Sequence, residues 1–184
     1  LRSAPSVRRA LAGLFGPLAL FALAALSFAA SAQEWQPTEE QNQTVMRLTY
    51  DYLFAKDAKD YESAYALMAP ALKRSLPFVK FSAHADAFND TAGAVKERRI
   101  KKITWYQAPP AQAPVPGIYA AVDIVSKFQN VDRHCGFLVF YQESSGEFLI
   151  MREEENYMDN DTERRIREES SQEDVEKAWA EVAR

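Results

Sequence analysis

Few side chains in this sequence have the type and spacing that acid–base or nucleophilic chemistry requires. His84 and Asp86 lie two residues apart in a predicted helix, so they point to different faces and cannot form a dyad. His134 and Cys135 are adjacent at the start of a predicted strand, where neighbouring side chains face opposite sides of a sheet. Neither pair predicts a general acid with its base, or a nucleophile with its base.

Asp123 interrupts an otherwise apolar strand pattern over residues 118–128. If its side chain points inward, it is a buried carboxylate of the kind that occurs in active sites. If it points outward, opposite a basic residue of a neighbouring strand, it is an ordinary surface residue. We assign no catalytic residue and keep Asp123 as a candidate. Two scattered histidines and one cysteine have no recognised metal-ligand spacing, so the sequence predicts no metal and no cofactor.

Helical patterns fill the first part of the chain. Thr38 and Gln41 fit a capping box, and Asp60 fits the N-cap of a second helix. Gly93 is a typical stop signal for a third helix. The predicted helices cover 38–56, 61–69 and 78–92, with a short irregular segment over 70–77.

Apolar residues then recur with a period of two, which is typical of β-strands. Gly146 supplies positive φ for a hairpin turn at 143–147, and the proline-rich loop 109–116 should lie on the surface. Helices followed by strands indicate an α+β fold, with three N-terminal helices packed on about four antiparallel strands. Because both strand faces are fairly apolar, a partner or a second copy of the chain could cover the face without helices. The predicted strands cover 97–107, 118–128, 135–142 and 148–151.

Residues 1–32 have the layout of a secretory signal peptide. Two arginines precede an apolar run over 10–28, and small residues at 30 and 32 form a cleavage site. We expect cleavage after Ala32 and a periplasmic, Gram-negative-type location; the alternative is an inner-membrane anchor formed by 10–28. Export argues against ATP-dependent chemistry, nucleotide cofactors and nucleic-acid partners.

Negative charge is concentrated at the C-terminal end. The 184 residues carry a net charge of −4, and removal of 1–32, with its three arginines, leaves −7. Residues 33–152 hold 14 basic and 14 acidic side chains, whereas 153–184 hold 5 and 12. A neutral body with an acidic tail argues against nucleic acid or an anionic membrane as partner. The predicted divisions are a signal peptide (1–32), an α+β domain (33–158) and an acidic tail (159–184).

Within the tail, 159–170 is expected to be mobile, and a helix with a narrow apolar stripe should begin at Ser171. This helix either docks on the domain or faces a partner. The basic segment 96–102 is either a solvated edge strand or a receptor for the acidic run 153–155 or the tail. Cys135 is either a buried inert thiol or a reactive or intermolecularly paired one.

Three features together resemble a known family. They are the Asp60-Tyr61 pair that opens the second helix, the spacing of Phe88, Gly93 and Arg98, and the final hairpin that leads into residues 148–150. Over about 45–157 the chain resembles an uncharacterised bacterial secreted family, domain of unknown function 4019. The resemblance implies a small cone-like fold similar to nuclear transport factor two and the cystatins, with helices in the concave face of a curved antiparallel sheet. It implies no catalytic residue.

Two functions therefore remain. The first is a non-enzymatic periplasmic module that binds an unknown protein or a small apolar ligand, with the acidic tail facing the partner. The second is a small-molecule-binding protein or enzyme that uses a pocket between helices and sheet, with Asp123 as its acid. A filled core favours the first, and a closed apolar pocket with a convergent titratable group favours the second.

Overall fold

The computed structural model of this protein describes residues 33–108 and 115–183. Their order of elements gives an α+β fold, with helices before and after a run of antiparallel strands. The predicted signal peptide, the cleavage site after Ala32 and the alternative anchor 10–28 lie outside the described residues. The elements are β1 Gln33–Glu34, α1 Glu39–Asp57, α2 Tyr61–Ala66, α3 Pro70–Ser75, α4 Phe78–Ala92, β2 Val95–Ala108, β3 Gly117–Phe128, β4 Arg133–Gln142, β5 Phe148–Met158, α5 Asn160–Glu169 and α6 Gln172–Val182.

The N-terminal helix boundaries follow the predicted capping residues. The backbone N–H of Gln41 donates to the Thr38 hydroxyl at 3.1 Å, and Gln41 Oε1 accepts from the Thr38 N–H at 2.9 Å. Asp60 accepts from the N–H of Ser63 at the start of α2. Helix α4 has the predicted bounds and ends at Gly93, whose φ is +71°.

One helix was not predicted. The segment expected to be irregular forms α3, because Pro70 occupies the first turn, where a missing N–H leaves no hydrogen bond unmade. Four helices, rather than three, therefore precede the long strands. Hydrogen bonds tie the start of α3 to β5: the Ala69 N–H donates to the Ile150 carbonyl, and the Ile150 N–H donates to the Leu67 carbonyl, both at 2.9 Å.

The sheet has the order β1-β2-β3-β4-β5, and every neighbouring pair is antiparallel. The two-residue strand β1 pairs only with Tyr106 and Gln107, so most of β2 forms a sheet edge. The prediction of about four antiparallel strands is confirmed for β2 to β5. Gly146 has φ +94° in the hairpin turn between β4 and β5, as predicted.

The sheet has an inner face, covered by the N-terminal helices, and an opposite outer face. Alternation along β3 places Ala120, Val122 and Ile124 inward, where they pack against Tyr52 and Phe81. This core holds large side chains in contact. Its buried members are Val45, Tyr52, Leu53, Ala64, Met68, Phe81, Trp105, Ala120, Val122, Ile124, Leu138, Phe140, Phe148 and Ile150.

The sheet has three register shifts; one lies at Val95–Glu97 near the start of β2, and the other two are bulges that set which residues of the core and the inner face of the sheet point inward. In β2, Ile100 pairs with Ile124 and Lys102 with Asp123, so Lys101 is an extra residue. In β5, Ile150 and Arg152 pair with consecutive residues of β4, so Met151 is extra. Beyond each bulge, every side chain points to the face opposite to the one that regular alternation would give it.

The acidic tail forms two helices. The segment 159–170 was expected to be mobile, but the structure has the helix α5 there. The start of α5 is fixed by two hydrogen bonds. Asp159 accepts from the Thr162 N–H at 2.8 Å, and Asn160 Oδ1 accepts from the Asp132 N–H in the turn before β4 at 2.8 Å. The helix expected from Ser171 is α6, with Ser171 as its N-cap. Among the helices of residues 33–108 and 115–183, none has the length and apolar character to cross a membrane.

Candidate functional site

Charged side chains meet between α1 and β5 on the inner face of the sheet. Lys56 Nζ lies 2.6 Å from Glu153 Oε1 and 3.0 Å from Glu155 Oε1. The Tyr52 hydroxyl donates to Glu153 Oε2 at 2.5 Å. Tyr52 is fully buried, and Lys56 is only 5% exposed. We call the set of Tyr52, Lys56, Glu153, Glu155 and His134 the inner cluster.

The charges of the inner cluster stabilise one another. Burial alone would lower the pKa of Lys56, but Glu153 and Glu155 outweigh it and hold that pKa well above its ordinary value. Burial would raise the pKa of Glu155, but Lys56, followed by His134, lowers it to about 2. Burial, followed by the charge of Glu153, raises the pKa of Tyr52. Both partners of the Lys56–Glu155 pair are therefore held ionised at neutral pH.

His134 is the least satisfied member of the inner cluster. Both of its ring nitrogens are buried without a hydrogen-bond partner among the described residues, and Nε2 lies 3.8 Å from Glu155 Oε1. The His134 ring packs edge-on against the ring of Phe128, and its centroid lies 5.7 Å from that of the Phe88 ring. As predicted for strand neighbours, His134 faces inward and Cys135 faces outward.

A cleft of about 270 Å³ borders the inner cluster on the α4 side. His84 is exposed at this cleft, but Asp86 is not one of its lining residues and instead pairs with Lys59 at 2.8 Å. His84 and Asp86 are therefore not brought together. Lys56 pairs with Glu153 and Glu155 beside the cleft, and Glu155, with a pKa of about 2, is a poor general base at neutral pH.

A larger cavity lies on the outer face of the sheet. This outer groove has a volume of about 590 Å³ and is bounded by Trp179 of α6 and by Ala183, the residue that follows this helix. Two cross-strand rows of side chains run along this part of the outer face. The rows are Arg99, Val125, Cys135, Asn156 and Lys102, Asp123, Phe137, Glu154.

Asp123 lies in the outer groove, half-buried, and not on the inner face. Its direct neighbour on β2 is Lys102, so it occupies the outward position opposite a basic residue. Cys135 lines the same groove. Burial raises the pKa of its thiol, which favours the unreactive protonated form.

The basic segment 96–102 does not receive the acidic run 153–155. Arg98 points inward and makes a two-pronged ion pair with Asp57 at the end of α1. Glu153 and Glu155 pair with Lys56 instead. The hypothesis that the two segments pair is therefore wrong, because the Met151 bulge turns those glutamates to the inner face.

The tail is attached to the domain through Arg133 at the start of β4. Arg133 Nε lies 3.1 Å from Glu163 of α5, and its Nη2 lies 2.6 Å from Glu176 of α6. Val175 is fully buried, so the apolar stripe of α6 packs on the domain. This docking places Trp179 at the outer groove.

Sequence patterns did not single out the inner cluster or Trp179 as site residues. One available signal was that Tyr52 and Lys56 are four apart, which puts the lysine on the buried stripe of α1. Among the described residues, no group of three or more His, Cys, Asp or Glu side chains could hold a metal ion.

Comparison with known proteins gives one match. No curated protein and no solved structure matches this sequence. A family model matches residues 49–151, which span α1 from Thr49 through most of the sheet and include Lys56, Asp123 and Cys135. The chain belongs to the family described as protein of unknown function (DUF4019).

Proposed function

We propose that this protein is a non-enzymatic binding module that holds a small ligand in the outer groove. The groove itself carries the proposal. Its volume of about 590 Å³ lies within the range typical of small-molecule sites, roughly 300–1,000 Å³. Its floor combines the apolar side chains Val125 and Phe137 with polar neighbours, and Trp179 adds an aromatic side chain.

The inner face supports an enzyme less well. Its core is filled by large side chains, and the charged groups beside the small cleft are paired with one another. Asp123, the catalytic candidate, lies outside that core and opposite Lys102. A half-buried acid beside a lysine on the outer face does not have the apolar surroundings that raise the pKa of a general acid.

We also propose that the module is exported to the periplasm and has the cone-like fold of the nuclear transport factor two and cystatin type. The layout of residues 1–32 supports export. Helices packed on one face of an antiparallel sheet support the fold. The mass of the chain isolated from a periplasmic extract tests export, because cleavage after Ala32 removes 32 residues.

Binding in the outer groove can be tested with a neutral fluorescent probe, N-phenyl-1-naphthylamine. We expect saturable binding at one site per full-length chain. Val125→Trp fills the groove and should abolish this binding. Ala121→Trp is the matched control, because Ala121 also faces outward on β3 but does not line the groove.

Equal loss of binding in both tryptophan variants would place the probe elsewhere on the outer face and overturn the proposal. Failure of the wild-type chain to bind the probe would have the same consequence. Circular dichroism of both variants shows whether each has kept its fold.

A further inference from the structure

Two cations of the outer groove have no carboxylate partner in the part of the chain that the structure describes. Arg99 and Lys101 line the groove from β2 and are exposed. Neither has a carboxylate oxygen within 4.0 Å among residues 33–108 and 115–183. The bulge contributes to this arrangement, because its extra residue, Lys101, lines the groove together with Arg99.

The other cations of the groove are already paired. Lys127 lies 3.9 Å from Glu97, its neighbour on β2. Arg133 is held by two carboxylates of the tail, one from α5 and one from α6. A ligand that approached either residue would have to compete with an existing ion pair.

Four acidic side chains also line the groove, and one of them, Glu97, lies two residues before Arg99 on β2 and pairs with Lys127. Asp123 is opposite Lys102, and Glu154 is 2.6 Å from Arg152. Asp132 is exposed in the turn before β4, at the far end of the groove. Four acidic side chains and four Lys or Arg side chains line the groove, so the positive charge open to a ligand is the local pair Arg99 and Lys101 on β2.

Apolar surface begins next to the unpaired cations. Val125 is the direct cross-strand neighbour of Arg99, and Cys135 follows in the same row. Phe137 belongs to the adjacent row, and Trp179 lines the groove from α6. A ligand that fits this pattern has an anionic group at one end and an apolar body of limited size.

We propose that the outer groove binds an amphipathic organic anion. Its carboxylate or sulfonate group lies between Arg99 and Lys101, and its apolar body packs on Val125, Phe137 and Trp179. This inference rests on the proposed function of the groove and adds the chemical class of the ligand. A guanidinium and an ammonium group side by side suit a carboxylate or sulfonate, since both donate charge-assisted hydrogen bonds.

Two probes that differ by one charged group test the proposal. 8-Anilino-1-naphthalenesulfonate has the aromatic body of N-phenyl-1-naphthylamine and adds a sulfonate. We expect the full-length chain to bind the sulfonate about tenfold more tightly at low salt, through two charge-assisted contacts. We also expect added NaCl to reduce this difference, because exposed charges are screened.

Charge-removing variants locate the anion. Arg99→Gln and Lys101→Gln should each weaken sulfonate binding by about threefold to fivefold and leave binding of the neutral probe unchanged. Lys96→Gln is the matched control on the same strand, because Lys96 is exposed and does not line the groove. It should leave both affinities unchanged.

The outcomes separate the two proposals. Equal affinity for both probes, with no effect of Arg99→Gln or Lys101→Gln, would overturn the anion preference and leave the binding groove in place. An effect of Lys96→Gln as large as that of Arg99→Gln would indicate unspecific attraction and also overturn it. If neither probe binds, the proposal that the groove is a binding site is overturned.

Discussion

Lys56 occupies a core position of α1 because two carboxylates reach it from β5. An isolated ammonium group at 5% exposure would lose several kcal/mol of hydration. Glu153 and Glu155 offset that loss through bonds of 2.6 and 3.0 Å. The cost of removing one partner is therefore larger than the net contribution of the pair.

We predict that Lys56→Met destabilises the protein strongly. Glu153 and Glu155 would remain close together without a cation, at a cost of about 3 kcal/mol in unfolding free energy. Arg47→Met is the matched control on the same helix, since the Arg47–Asp51 pair is exposed and should contribute less than about 0.5 kcal/mol. Urea denaturation of both variants measures the difference, and equal losses would contradict the role of Lys56.

Glu155 should make stability depend on acid pH. Its pKa is about 2 in the folded chain and near the ordinary value of 4.5 when unfolded. A depressed pKa stabilises the folded state above the unfolded value, and this contribution is lost as pH falls from about 4.5 towards 2. Thermal unfolding should show that the melting temperature of Glu155→Gln falls less steeply than wild type over this range. Parallel curves would contradict the assignment.

At the scale of elements, the bulges at Lys101 and Met151 determine which side chains of β2 and β5 reach each face of the sheet. If Met151 continued the regular alternation from Ile150 instead of forming a bulge, Glu153 would point outward. If Lys101 continued the regular alternation from Ile100, Trp105 would point away from the core. The inner cluster and part of the core thus depend on single inserted residues.

These bulges also explain what the sequence could and could not predict. Local signals are visible in single residues, and Thr38, Asp60 and Gly93 mark the helix ends correctly. The inward direction of Glu153 depends on long-range pairing with β4, which has no local signature. The start of α3 at Pro70 was missed because a proline ends a preceding helix but also fits the first turn of a new one.

Gly136 allows the close approach of β4 and β5 at the inner cluster. A methyl group at this position would lie 2.6 Å from the backbone carbonyl oxygen of Glu154. We predict that Gly136→Ala lowers the unfolding free energy by about 2 kcal/mol or more, because two backbones must separate. Gly146→Ala is the comparison: its Cβ would meet open space, so only the positive φ opposes it, at about 1 kcal/mol. A larger loss for Gly146→Ala would contradict this account.

At the scale of the whole molecule, the sheet separates two regions of different character. The inner face holds the core and a cluster of mutually paired charges. The outer face holds the groove, which is completed only when α6 docks and supplies Trp179. The acidic tail therefore belongs to the proposed binding site rather than to a separate surface.

Docking of the tail should depend on Arg133 and on ionic strength. Arg133 contacts Glu163 and Glu176, and the latter pair is partly exposed and open to screening. We predict that Arg133→Gln, or high salt in the wild type, increases hydrogen exchange in α5 and α6 while β3 remains protected. Arg164→Gln is the control, since Arg164 pairs only with Asp161 of its own helix. A tail that exchanges equally in all conditions would contradict docking through Arg133.

The central claim is that the ligand site of this protein is the outer groove. Amide NMR shifts of the full-length chain, titrated with 8-anilino-1-naphthalenesulfonate, test it most directly. The predicted result is saturable shifts at Arg99, Val125, Cys135 and Trp179, with little change at Lys56 and Glu153. Shifts concentrated at the inner cluster and the α4 cleft, with the groove unaffected, would contradict the claim.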